Sequence, residues 1–132
     1  MPATLDHATI CATDFAASLR FYDAALGALG LVRSAEFGDE EEEDAEVEAA
    51  GWAAPDGEPL VWLVAGSRPT TGAHVSLRAD SRADVEQFHA AALAHGGRSQ
   101  DPPRRWLLYR RGQFGAQVRD PDRNVIEAIA AE

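Results

Sequence analysis

The sequence predicts an α+β fold built from two successive βαβββ modules, and three observations predict it. Asp6–Gly30, DHATICATDFAASLRFYDAALGALG, aligns without gaps on Ala73–Gly97, AHVSLRADSRADVEQFHAAALAHGG. His7 falls on His74, Phe21 on Phe88, Ala25 on Ala92 and Gly30 on Gly97, each pair 67 positions apart. Each copy begins with an alternating segment, turns, and continues with a helical spacing of apolar residues. Each is then followed by further short runs bounded by turn residues, the pattern of strands. The order is not a regular strand–helix alternation and no glycine-rich phosphate loop occurs, which sets aside a Rossmann sheet.

The elements follow in order. In His7–Ala12, His7, Thr9 and Cys11 share one side of a strand and Ala8, Ile10 and Ala12 the other. Asp14 is placed to cap a helix in which Phe15, Leu19, Tyr22, Leu26 and Leu29 recur at spacings of three and four, and Gly30 stops it. Leu31–Ala35 and Glu46–Ala53 read as strands on either side of the acidic run Gly38–Glu48, itself a solvated loop or strand edge. Leu60–Ala65 is a strand after the Pro55–Pro59 turn, and Gly66–Gly72 a linker. A single domain, 1–132, thus divides into module one, 1–68, and module two, 69–132.

Module two repeats the plan. His74–Ala79 alternates, with His74, Ser76 and Arg78 against Val75, Leu77 and Ala79. Ser81, with Asp84 three residues on, forms a capping-box pattern before Val85, Phe88 and Ala92, and Gly96-Gly97 ends the helix. Asp101–Arg105, DPPRR, reads as a loop before strands at Trp106–Arg110 and Phe114–Arg119. Asp120–Asn124 is a turn, and Val125–Ala130 the last strand.

Composition narrows the class. A length of 132 residues with 45% hydrophobic content suits one globular domain. No stretch approaches the roughly 18 unbroken apolar residues that read as a membrane span, so no membrane partner is expected. The start, MPATLDHA, lacks a secretory pattern, and the lone Cys11 excludes an intramolecular disulfide; a cytoplasmic setting is the expectation. A net charge of -10 argues against nucleic acid as a partner.

Chemistry centres on the polar faces. In each first strand the apolar side packs on the following helix, leaving the histidine on the wetter side. Glu127 lies in the apolar strand VIEAIA, where an ionised carboxylate is costly unless paired, hydrogen-bonded or bound to metal. Pseudo-symmetry between the halves would bring His7, His74 and Glu127 to one cleft. Two imidazoles and a carboxylate suit a divalent metal with open positions for water or substrate; zinc, nickel, manganese, cobalt and iron are all compatible. Otherwise these are ordinary surface or core residues. Trp62, Trp106, Tyr109 and Phe114 are candidates for the substrate pocket wall, or for core and interface. Arg78 could bind a substrate anion or neutralise Glu127; Arg104, Arg105, Arg110 and Arg111 could steer an anion or simply be solvated. His89 and His95 read as structural or exposed, and Cys11 as packing.

Three segments, DHATICATDFAASLRFYDAALG, TGAHVSLRA and GQFGAQVRDPDRNVIEAI, carry a resemblance that covers essentially the whole chain. The chain resembles the vicinal oxygen chelate superfamily, which includes glyoxalase I, bleomycin- and fosfomycin-resistance proteins, methylmalonyl-CoA epimerase and extradiol dioxygenases. The resemblance implies a glyoxalase/bleomycin resistance/dihydroxybiphenyl dioxygenase-like fold with a central cleft. It implies His7, His74 and Glu127 as metal ligands and Glu127 as the candidate catalytic group. It further implies a homodimer, in some members with modules paired across subunits. The implied function is a metal-dependent lyase or isomerase acting on a small substrate with vicinal oxygens. The alternatives are sequestration of a small molecule, as in bleomycin resistance, and an extradiol-type dioxygenase with a two-histidine, one-glutamate iron site.

Two departures stand out. Several relatives use a fourth ligand from the last strand of module one; the repeat offset carries Glu127 onto Leu60, and Leu60–Ala65 holds no metal-binding side chain. Leu60, Trp62 and Val64 share a face, so that side of the cleft is expected to be apolar. The turn reads DPDRN where the family usually has DPDGN, and a left-handed backbone at Arg123 would cost more than at glycine.

Overall fold

A computed structural model of the chain describes residues 1–38, 47–106 and 112–131. The first half forms β1 (Ala8–Ala12), α1 (Phe15–Gly27), β2 (Val32–Gly38), β3 (Val47–Ala53) and β4 (Val61–Ala65). The second forms β5 (His74–Arg78), α2 (Arg82–Ala94), β6 (Arg98–Arg105), β7 (Gln113–Arg119) and β8 (Val125–Ala131). Each half is therefore βαβββ. The strands make two four-stranded sheets, ordered β1-β4-β3-β2 and β5-β8-β7-β6. In each sheet the first and last strands of the module run parallel and the other pairs antiparallel.

Local chemistry accounts for both helices. The Asp14 carboxylate accepts the Ala17 N–H at 3.1 Å, and the Ser81 hydroxyl accepts the Asp84 N–H at 3.2 Å, so each helix begins with one exposed donor satisfied. Phe21, Tyr22, Ala25 and Leu26 of α1 and Val85, Phe88 and Ala92 of α2 are buried, at the helical spacing expected of an inward face. The first helix lies on the first sheet, the second on the second, and the two pack on each other. One continuous core results, with Ile10, Ala12, Trp52 and Leu63 from one sheet and Ala116, Val118, Ile126 and Ala128 from the other. Each large side chain removed from water there contributes about 1.5–3 kcal/mol. Among the described residues no helix is long and apolar enough to cross a membrane.

The DPPRR segment is strand, not loop. Asp101–Arg105 lies within β6, at the outer edge of its sheet. Pro102 and Pro103 have no N–H to give, but an edge strand pairs on one side only, and the ladder slips register between Asp101 and Arg104, where the prolines sit. Trp106 follows that strand, donating its backbone N–H to Gln113 O at 2.9 Å. The remainder of the strand expected at Trp106–Arg110 falls outside the described residues, as does most of the acidic run after Gly38.

A buried polar knot secures the turn before β8. Asp120 Oδ1 accepts the N–H groups of Asp122 and Asn124, at 2.9 and 2.8 Å. Asp120 Oδ2 accepts the Tyr22 hydroxyl at 2.6 Å and Asn124 Nδ2 at 2.9 Å. Asn124 also donates to Thr70 O at 2.7 Å and accepts from Ala73 N at 3.0 Å. Turn, linker and first helix are thus tied together beneath the parallel β5–β8 pair. Burial, then the Asp120 charge, pushes the Tyr22 phenol well above its ordinary range, so it stays a neutral donor. Arg123 in this turn takes a left-handed backbone, φ 70°.

Candidate functional site

Alternation along β8 sends Ile126, Ala128 and Ala130 into the core and turns Val125, Glu127 and Ile129 to the opposite, open face. Strand register arranges that face in rows. One row holds His74, Val125, Arg119 and Arg98; the next Ser76, Glu127, Gln117 and Asp101; the third Arg78, Ile129, Gly115 and Arg104 (the β6–β7 pairing giving the last member of each).

Glu127 is the centre of this face. Only 3% of it is exposed, yet both carboxylate oxygens have partners: His74 Nε2 lies 3.0 Å from Oε1, and Gln117 Nε2 donates to Oε2 at 3.0 Å. Those contacts offset the desolvation that an apolar strand would otherwise impose on the charge. The His74 side chain remains half exposed. Two of the three expected metal donors therefore stand side by side. Nothing in the sequence singled out Gln117; only its register opposite Glu127 reveals the contact.

His7 is elsewhere. It immediately precedes β1 and its Nδ1 lies 2.7 Å from Asp6 Oδ1, with much of the ring in solvent. Among the described residues, no group of three or more His, Cys, Asp or Glu side chains gathers at one point. The strands that follow or carry the two histidines, β1 and β5, are each the terminal strand of their own sheet.

The pairing register corrects the expected counterpart of Glu127. Thr9 and Ser76 are repeat partners; Thr9 pairs with Trp62 as Ser76 pairs with Glu127. The counterpart is Trp62, not Leu60, because the first module is two residues longer between its paired strands than the repeat offset assumes. The positional equivalent of Glu127 in module one is thus an indole. Trp62 lies over Gly51, where an added Cβ would come within 3.1 Å of the ring, and it stacks on Phe37 with centroids 5.6 Å apart and planes 14° from parallel. Phe37 is well exposed.

The other pocket-wall residues separate. Trp106 covers Gly115, whose added Cβ would lie 2.6 Å from the indole Nε1, and the Arg104 guanidinium sits 4.2 Å from the Trp106 ring centroid. Arg104 also grips Asp101 with two hydrogen bonds of 2.9 Å. Arg78 borders a shallow cleft of about 220 Å³ with Ser76, Leu77 and Ile129. Phe114 faces the core instead: it is buried on the helix side of β7 beneath the Arg82 guanidinium, because Gln113, Gly115 and Gln117 take the open side. Tyr109, Arg110 and Arg111 lie outside the described residues. Cys11 packs tightly against Gly66, where an added Cβ would lie 2.4 Å from Sγ. His89 Nε2 lies 2.8 Å from the Ser99 hydroxyl, and His95 Nδ1 lies 2.8 Å from the Ala91 carbonyl of its own helix.

Comparison with known proteins agrees with this architecture. A glyoxalase/bleomycin resistance protein from Albidiferax ferrireducens T118 is 27% identical, with 96% of this chain and 97% of that one covered and a TM-score of 0.72. An enzyme of the glyoxalase/bleomycin resistance protein/dioxygenase family from Burkholderia phytofirmans PsJN has a TM-score of 0.67 at 18% identity, covering 98% and 100%. Fosfomycin resistance protein FosX from Listeria monocytogenes, in complex with Mn(II) and sulfate, has a TM-score of 0.64 at 14% identity, covering 100% and 95%. The latter two are likenesses of fold. No curated protein matches the sequence. The sequence profile of the Glyoxalase/Bleomycin resistance protein/Dioxygenase superfamily matches residues 4–128, and the chain belongs to that superfamily.

Proposed function

We propose that this chain is a divalent-metal-dependent enzyme of lyase or isomerase type, acting on a small substrate with vicinal oxygens. One observation carries the reading: the buried Glu127 carboxylate beside the half-exposed His74 imidazole, on the open face of a sheet. His74 Nε2 and Glu127 Oε1, 3.0 Å apart, are donors of the right chemistry to share a cation. A metal held there supplies chelation of adjacent oxygens and stabilisation of developing oxyanion charge. Gln117 orients the carboxylate. Glu127 is also the group able to move a proton on a substrate beside it. Arg78, at the end of the third row, holds a substrate anion, and Trp62 and Trp106 contribute flat walls.

The third ligand, His7, comes from a second copy. In a homodimer with the free edge of β1 laid beside the free edge of β5, His7 of the partner subunit completes the set. Metal content and affinity of tag-free protein purified without chelator test the reading. Stoichiometric metal lost in Glu127→Ala and His74→Ala supports it. Mixing His7→Ala with Glu127→Ala protein restores one intact site per mixed dimer, whereas a site formed within one chain stays broken after mixing. No metal uptake by the wild type at micromolar supply overturns the metalloenzyme. The stacked Trp62–Phe37 pair favours a second reading, sequestration of a planar small molecule without chemistry, to which that result would turn.

A further inference from the structure

At the far end of the first row from His74 lies a separate cluster of charge. Arg98 and Arg119 are direct cross-strand partners in β6 and β7, and with Arg123, Gly96, Asp120 and Pro121 they line a cleft of about 390 Å³. We propose that Arg98, Arg119 and Arg123 form a binding site for a phosphate-class oxyanion, distinct from the His74–Glu127 pair.

Four features support the assignment. Like charges directly opposite each other on paired strands are destabilising, and an anion between Arg98 and Arg119 turns that repulsion into attraction. Arg119 spends its Nε on Gln100 Oε1 at 2.6 Å, which fixes the guanidinium while leaving its terminal nitrogens to donate. The Arg98 and Arg123 guanidinium groups have no hydrogen-bond or ion-pair partner among the described residues. Finally, Arg123 holds its side chain at this cleft from a left-handed backbone, φ 70°, that glycine adopts more readily.

Neutral donors hold the one carboxylate that lines the cleft. Asp120 is the one carboxylate among the lining residues, and both its oxygens are engaged by Tyr22, Asp122 and Asn124. Asp122 neighbours the cleft without lining it. A basic concavity on a chain of net charge -10 concentrates anions locally where the protein as a whole repels them. The planar guanidinium fork matches the spacing of phosphate oxygens.

The test is calorimetric titration at low salt with inorganic phosphate and, separately, phenyl phosphate, against chloride as control. Saturable one-to-one binding of phosphate is expected, weakened at least about tenfold in Arg98→Ala, the size of one lost charge-assisted contact. Arg123→Gly weakens binding comparably while its thermal midpoint holds or rises, because glycine accepts the backbone. That combination separates a ligand role from a structural one. Equal affinity for both probes supports a free anion, and tighter phenyl phosphate supports a phosphoryl group on a larger molecule. Absent saturation, equal binding of chloride, or unchanged affinity in both arginine variants overturns the site. His74→Ala retains phosphate binding if the sites are distinct; its loss there overturns that distinction, whatever the fate of the metal site.

Discussion

Trp62 and Glu127 occupy equivalent positions on the open faces of the two sheets, Trp62 opposite Thr9 and Glu127 opposite Ser76. The duplicated scaffold thus presents an indole stacked on Phe37 from one module and a hydrogen-bonded carboxylate from the other. Since Trp62 stands outside the core cluster, Trp62→Glu is expected to fold and to offer a fourth donor. Under the cross-subunit arrangement, its metal affinity rises. Competition against a fluorescent chelator measures this, and unchanged affinity would mean that Trp62 does not face the metal.

Gln117 donates its side-chain amide to Glu127 Oε2 at 3.0 Å. Gln117→Ala leaves Glu127 Oε2 without its side-chain partner. Stability of the metal-free protein is expected to fall by about 1–3 kcal/mol in urea titrations. Metal affinity should fall about 10-fold or more, the usual range for an outer-shell partner. Wild-type affinity in the variant would assign Gln117 to folding alone.

Tyr22 binds module one to the turn of module two through its 2.6 Å hydrogen bond to Asp120. Tyr22→Phe retains the ring and its edge-on contact with Phe21 but removes the donor. The expected loss is about 1.5–3 kcal/mol, the value for a hydrogen bond to a charged group. Denaturant unfolding measures it; a loss below about 0.5 kcal/mol would mean that Asp122 and Asn124 satisfy Asp120 without the phenol.

Two glycines should respond in opposite directions. A Cβ at Gly97 would stand 2.6 Å from Phe21 Cε2 and 2.7 Å from Ala92 O, and backbone yields poorly. Gly97→Ala is expected to cost about 1–3 kcal/mol. Gly27, the last residue of α1, has nothing within 4 Å of its would-be Cβ, so Gly27→Ala should stabilise by about 0.5–1 kcal/mol. Thermal midpoints of the pair give the comparison.

His89 supplies a pH dependence. Burial lowers its pKa from the ordinary 6.5, so the folded protein resists a proton that the unfolded chain accepts. Stability from this group is complete above 6.5 and declines as pH falls through that value. His89→Gln, which preserves a hydrogen-bonding group near Ser99, should flatten the decline in urea midpoints between about pH 7.5 and 5.5. An unaltered slope would place the proton uptake on another residue.

Much of the fold was legible because its signals are local. The repeat, the caps at Asp14 and Ser81 and the inward positions Phe21, Leu26, Val85 and Phe88 each depend on residues within a few turns of one another. The polar face of β5, with His74 on it, followed from alternation; placing Glu127 beside it rested on the pseudo-symmetry of the two halves. Edge position was not legible: DPPRR looks like a strand breaker until its strand is seen to pair on one side only.

Residue types and their periodicity determined two βαβββ units, a histidine at the head of each, and a carboxylate in the last strand. Tertiary structure decided what meets what. Strand register, a relation between distant segments, made Trp62 the counterpart of Glu127, brought Gln117 to its second oxygen and turned Phe114 into the core. Strand pairing put β1 and β5 at the edges of two different sheets, so that His7, just before β1, does not join the His74–Glu127 pair.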